Sequence, residues 1–206
     1  MEIKPLRKGL IARLKKIDMT QREFAAPVRS FDDHSTLELL IDTLHDADVA
    51  LRTDAARALV DMGETAVPAL LLELRDEDGL IWRLAAGVLV KIGAPAVQPL
   101  LAALTTRRES EAVQILLVEI LGQIGDTRAA ETLIQTLDSE SSPLRTAAAV
   151  ALVRIGPAAT PVLLAALAES RSDTFRQHAI PILKQIGATE TLDTLAAWQA
   201  IDELLD

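Results

Sequence analysis

The stretch Asp48 to Leu74, DVALRTDAARALVDMGETAVPALLLEL, reads as a helix, a turn at Gly63 and a second helix, and most of the chain after it varies that theme. Apolar residues recur every three to four positions on both sides of the glycine, the spacing of one stripe of an α-helix. With the glycine as origin, later copies fall at Gly93, Gly125, Gly156 and Gly187, at spacings of 30, 32, 31 and 31 residues. Eleven residues before each glycine stand Arg52, Trp82, Gln114, Arg145 and Arg176. Small pairs stand eight and seven before it, as in Ala55 with Ala56, Ala85 with Ala86 and Ala148 with Ala149. A leucine stands four before it in every copy: Leu59, Leu89, Leu121, Leu152 and Leu183. The glycine is the expected left-handed end of the first helix, and the second helix is expected to close at Leu74, Leu104, Leu137 or Leu167. One such hairpin cannot bury both of its stripes, so the copies must stack.

Composition agrees. The 206 residues are 50% hydrophobic but only 2% aromatic, with no Tyr. The core must therefore be built of Leu, Ile, Val and Ala, which suits closely packed helices. Cys is absent, which removes disulfides, thiolate metal sites and thiol nucleophiles. The apolar runs are too short to span a bilayer, and the Gly9 to Leu14 patch is cut off by Lys15 and Lys16 without a cleavage signal. No membrane insertion and a cytoplasmic location are the expectations.

Residues 1–29 hold eight Lys or Arg against Glu2, Asp18 and Glu23, while the whole chain carries −9. The remainder is thus strongly acidic and repels phosphate backbones. The inward positions of the second helices, estimated from register, are Ala69, Leu72, Ala102, Ala103, Gln135, Thr136, Ala165 and Ala166, with no basic stripe and no aromatics. No nucleic acid is expected as a partner.

Run backwards, the register finds a worn repeat from Arg22 to Leu44, with Asp33 in place of the glycine. Pro5 to Ile17 reads as a single capping helix. Its long basic stems are expected to cover the first repeat's apolar edge while the charges stay solvated. The expected organisation is a cap over 1–17 and a solenoid over 18–206, with repeats near 18–46, 47–77, 78–108, 109–139, 140–169 and 170–206. Pro27 and Pro181 sit inside first helices, where proline removes a backbone bond, so bent or broken helices are expected there. The last helix, Thr191 to Leu205, has the polar outer side of a terminal cap.

The strings LRTDAARALVDMGETAVPALLLEL (Leu51 to Leu74) and LRTAAAVALVRIGPAATPVLLAAL (Leu144 to Leu167) carry a family pattern. They resemble the HEAT-like repeat class, in the short form found in phycobilisome lyase subunits and bacterial scaffold proteins. The resemblance implies an all-α, right-handed α-solenoid of about six hairpins. It also implies that Arg52, Arg145 and Arg176 form a structural ladder, with Asp48, Asp138 and Asp173 as partners. Trp82 and Gln114 depart from the pattern, so the ladder should be interrupted mid-chain. The matched residues are packing residues, and packing does not define an activity.

Chemistry is sparse. Only His34, His45 and His178 are present, and no nucleophile elbow, zinc-protease or phosphate-loop spacing appears. A HEAT-like hydroxylase would need repeated His-Glu pairs, which the chain lacks. The best metal grouping is Asp42, His45 and Asp46 on one helix face, whose plainer reading is a solvated helix end. No metal, cofactor or catalytic residue is assigned. The acidic turn Asp76, Glu77, Asp78 and the basic turn Arg107, Arg108 read as solvated loops.

The function expected is a non-catalytic protein-binding scaffold or adaptor, its partner another protein or a second copy. The alternative, implied by the resemblance, is a phycobilisome-lyase-like or phycobiliprotein-handling factor. The expected working surface is mid-chain, at Trp82, Leu84, Val90, Ile115 and Leu116. There apolar side chains replace polar ones at outward offsets, and Gly87 and Gly122 lie inside the same helices. Exposed apolar surface marks interaction sites, and Trp is enriched among binding hot spots. The competing reading turns these side chains inward, with Trp82 filling the space left by the missing arginine.

Overall fold

The computed structural model describes residues 33–76, 78–106, 109–169 and 173–188. The basic N-terminal cap, Arg22, Pro27, Glu77, Arg107, Arg108 and the final helix lie outside them, as do the side chains of His34 and Asp173. The described residues form an all-α repeat solenoid, with two compact units over 1–96 and 97–206.

The N-terminal unit contains α1 (Asp33–Leu44), α2 (Val49–Met62), α3 (Val67–Glu73) and α4 (Ile81–Ile92). Here α1 lies against α2 and α3, and α4 lies against the same two helices. The C-terminal unit contains α5 (Val97–Thr105), α6 (Glu111–Ile124), α7 (Ala130–Thr136), α8 (Ser142–Ile155), α9 (Thr160–Glu169) and α10 (Asp173–Gln185). In it α6 packs on α5 and α8, α8 also on α7 and α10, and α9 on α7 and α10. Within each unit a first helix thus meets the next first helix, as stacked hairpins must.

The core follows the register. Leu59, Leu89, Leu121, Leu152 and Leu183 are all fully buried, and so are Leu44 and Leu137 at second-helix ends. Each such leucine stabilises by about 1.5–3 kcal/mol. In the alanine pairs the first member is buried and the second half-buried, so one methyl faces the neighbouring helix. Helix α6 has Leu117 and Val118 at that place instead, both fully buried. Its close contact moves one turn on, to Gly122, where an added Cβ would stand 2.6 Å from both Cα and Cβ of Ala151 on α8.

All five turn glycines have positive φ, and Gly63, Gly93, Gly125 and Gly156 divide into two conformations. Gly125 is left-handed helical at φ 71, ψ 19. Gly156 sits at φ 77, ψ −149, and Gly63 and Gly93 resemble it. From Gly63 or Gly156 the chain passes directly into a 3₁₀ turn, whereas after Gly125 it spends Asp126 in extended conformation first. Asp126 accepts from the backbone N–H of Arg128, and the hydrogen bonds from Arg128 hold its carboxyl below the usual range, the side-chain bond contributing most. A Cβ at Gly125 or Gly156 would meet nothing within 4 Å. Gly125→Asn should therefore be nearly neutral in a urea melt, since Asn tolerates the left-handed region. Gly156→Asn should cost about 1–3 kcal/mol, because its region is essentially restricted to glycine. Equal costs at both positions would contradict this assignment.

Two expectations are corrected here. Arg52 and Arg145 hold carbonyls and not the expected acids: Arg52 Nη1 donates to the carbonyls of Asp46 (2.7 Å) and Ala47 (3.1 Å), and Arg145 Nη1 to those of Ser139 (2.6 Å) and Glu140 (2.9 Å). Nor does the ladder stop at Gln114, whose Nε2 donates to the carbonyl of Glu109 at 2.9 Å. A neutral amide can hold one of the two equivalent loop carbonyls because a carbonyl carries no charge to match. Asp48 instead caps α2 by accepting from the N–H of Ala50. Asp46, two residues earlier, accepts from the N–H of Asp48, and Asp76 and Asp78 repeat this arrangement before α4. The acidic turn is thus a pair of local caps as well as a solvated loop.

The other correction is that Pro181 does not break its helix: α10 runs from Asp173 to Gln185 through it. The proline is exposed, so the missing N–H leaves the carbonyl one turn earlier on the solvent side, within reach of water. The run Ser142–Glu169 matches a membrane span in length and composition. Gly156 divides it, however, into α8 and α9.

Candidate protein-binding groove

Helices α6 and α8 touch backbone to backbone at Gly122 and Ala151. Along their outer faces they leave an apolar groove of about 720 Å³. Ile115, Pro143, Ala147 and Val150 supply its apolar lining, with Glu119 and Arg154 contributing one charge of each sign. Val150 is 47% exposed and Ala147 is buried, so the groove has a closed floor and an open edge.

A second groove of about 750 Å³ is lined by Leu104, Gln114, Gln135, Thr136, Asp138 and neighbouring residues of the C-terminal unit. Several of its polar groups already serve the fold. Gln114 holds the Glu109 carbonyl, Thr136 Oγ1 donates to the carbonyl of Thr132, and Ser141 Oγ bonds to Glu111. The groove between α6 and α8 is the better candidate for a partner.

Trp82, Leu84, Val90, Ile115 and Leu116 are all half-buried. Of these, Ile115 lines the groove. It replaces residues whose polar side chains bond back to the first turn: Thr53 to the carbonyl of Val49, Arg83 to that of Gly79 and Thr146 to that of Ser142. Val90 shares its place in the repeat with Val60 and Val153, half-buried like it. In the N-terminal unit, the Trp82 ring lies beside Gly79 and under the Arg83 guanidinium, 5.8 Å from ring centroid to Cζ. Arg176 is half-buried at the ladder position of α10.

Val150 was not singled out by sequence, although a signal exists. The position six before the turn glycine is exposed in every described repeat and holds Arg57, Gly87, Glu119, Val150 and Pro181. Valine is the one aliphatic in that series. The helical grouping of Asp42, His45 and Asp46 is not what the fold assembles: Asp46 is used as a cap, and His45 reaches Glu73 on α3 at 2.8 Å. A long-range repeat contact overrides the local spacing.

A family model described as HEAT repeats matches residues 97–184. The chain is 28% identical over 143 residues to the uncharacterized phycocyanin operon protein Z of Pseudanabaena tenuis, a match covering 65% of this chain and 70% of that protein. Among solved structures, a subunit in the complex of CpcE and CpcF of phycocyanin lyase from Nostoc is 27% identical, with 88% of this chain and 77% of that one covered and a TM-score of 0.37. A designed armadillo repeat protein is 17% identical, with 87% and 99% covered and a TM-score of 0.38. The repeat register and the family match carry the assignment, and superpositions this loose add nothing to it. Residues 97–184 thus carry HEAT repeats, and the same hairpin pattern runs back from that segment to Asp48.

Proposed function

We propose that this chain is a non-catalytic protein-binding scaffold that engages its partner through the groove between α6 and α8. The carrying observation is Val150, an exposed aliphatic beside Ile115 at places where the other repeats present polar residues, glycine or proline. An apolar strip flanked by opposite charges suits the apolar face of a partner helix. Trp82 and Leu84 on α4 are the corresponding candidates in the N-terminal unit.

The likeness to a phycocyanin operon protein favours a second, narrower reading, in which the partner is a phycobiliprotein subunit or a protein that assembles it. Titration calorimetry with apo-phycocyanin subunits tests it. Binding is expected, weakened at least tenfold by Val150→Asp, which leaves the melt nearly unchanged because the side chain stands at the exposed edge of the groove. Binding that survives Val150→Asp but falls with Leu84→Asp would move the site to α4. No binding to any subunit would remove the phycobiliprotein reading and leave the scaffold reading to cross-linking of native partners. Adding a bilin separates a scaffold from a lyase: only a lyase yields a covalent coloured adduct.

A further inference from the structure

The N-terminal unit brings together three side chains that the groove does not use. His45 follows the end of α1, Glu73 is the last residue of α3, and Asp76 lies in the loop beyond. Their ligand atoms, one imidazole nitrogen and two carboxylate oxygens, all lie within 4.8 Å of one another. Among the described residues, no other trio of His, Asp or Glu converges this closely. We propose that His45, Glu73 and Asp76 bind a divalent first-row transition ion such as zinc, which clips the loop after α1 to the end of α3.

The chemistry fits such an ion. A mixed nitrogen and oxygen donor set with ligand distances of about 2.0–2.2 Å suits zinc and its neighbours, and neither calcium nor magnesium favours imidazole. Donors around one tetrahedral ion stand about 3.4 Å apart, so a pair at the 4.8 Å limit closes by roughly 1.4 Å through side-chain rotation. His45 Nε2 and Glu73 Oε2 already stand 2.8 Å apart across a proton that the metal would replace. The Glu73 side chain is 17% exposed and that of His45 41%, so the ion would keep a face open to water. Two helices end at this point, α1 at Leu44 and α3 at Glu73, and neither has a basic residue in its last turn. Their negative ends therefore favour a cation between them. Asp76 is held in place, since its Oδ1 accepts from the N–H of Asp78.

The test is calorimetric titration of zinc chloride into tag-free, chelator-stripped full-length protein at neutral pH, with thermal melts alongside. One equivalent is expected, and the melting temperature should rise with zinc because the ion binds the folded state. His45→Ala and Asp76→Asn should each weaken binding at least tenfold and abolish the rise; asparagine keeps the oxygen that caps Asp78. His178→Ala, at a histidine bonded to the carbonyl of Thr174 in the other unit, should change neither. Absence of a saturable equivalent, or one unaffected by His45→Ala, would overturn the proposal.

Discussion

Gly122→Ala is expected to lower stability by about 3 kcal/mol, towards the upper end of the usual cost of overpacking. The direction is opposite to helix propensity, by which alanine gains about 1 kcal/mol over glycine. The reason lies in Ala151, whose Cα and Cβ would both stand 2.6 Å from the new methyl. A Cα cannot swing aside, so α6 and α8 would have to separate along their contact. Ala151→Gly added to Gly122→Ala should recover only part of the loss, because it removes the Cβ clash and leaves the Cα clash. Gly87→Ala supplies the contrast. Gly87 is exposed and a Cβ there would meet nothing within 4 Å, so that change should stabilise by about 0.5–1 kcal/mol. Urea melts followed by circular dichroism measure all of these. A neutral Gly122→Ala would mean that the two helices do not touch.

Leu121→Ala should cost about 2–5 kcal/mol, the range for emptying a buried leucine site. Leu121 is fully buried and stands beside Gly122 on the helix that carries the largest apolar load in the C-terminal unit. The rigid contact at Gly122 limits how far α6 can collapse into the space, which argues for the upper half of the range. A shift of a few tenths would contradict that burial. The two substitutions fail for opposite reasons, one by excess volume and the other by its loss.

The repeat was legible because its determinants are local and periodic. A glycine in a positive-φ turn, a leucine four residues earlier and an alanine pair before that are each set by one helix and its cap. What was not legible depends on which neighbour a side chain meets. Gly87 and Gly122 look alike in sequence, yet one faces solvent and the other faces Ala151. Gln114 read as a gap in a ladder of charges because the carbonyls it meets do not show in the sequence. The Val150 edge of the groove needed a comparison across repeats at one offset. His45 and Glu73 are 28 residues apart and meet only through the stacking of repeats.

The ladder has a consequence for how such a chain can change. Arg52 and Arg145 grip neutral carbonyls, and Gln114 does so without any charge. Added salt, which weakens exposed ion pairs, has no opposing carboxylate to uncouple at these junctions. A neutral donor can therefore replace the cation at this offset and still hold a loop carbonyl. A protein with net charge −9 can in this way retune its electrostatic field towards a new partner, one repeat at a time, while the joints between repeats stay closed.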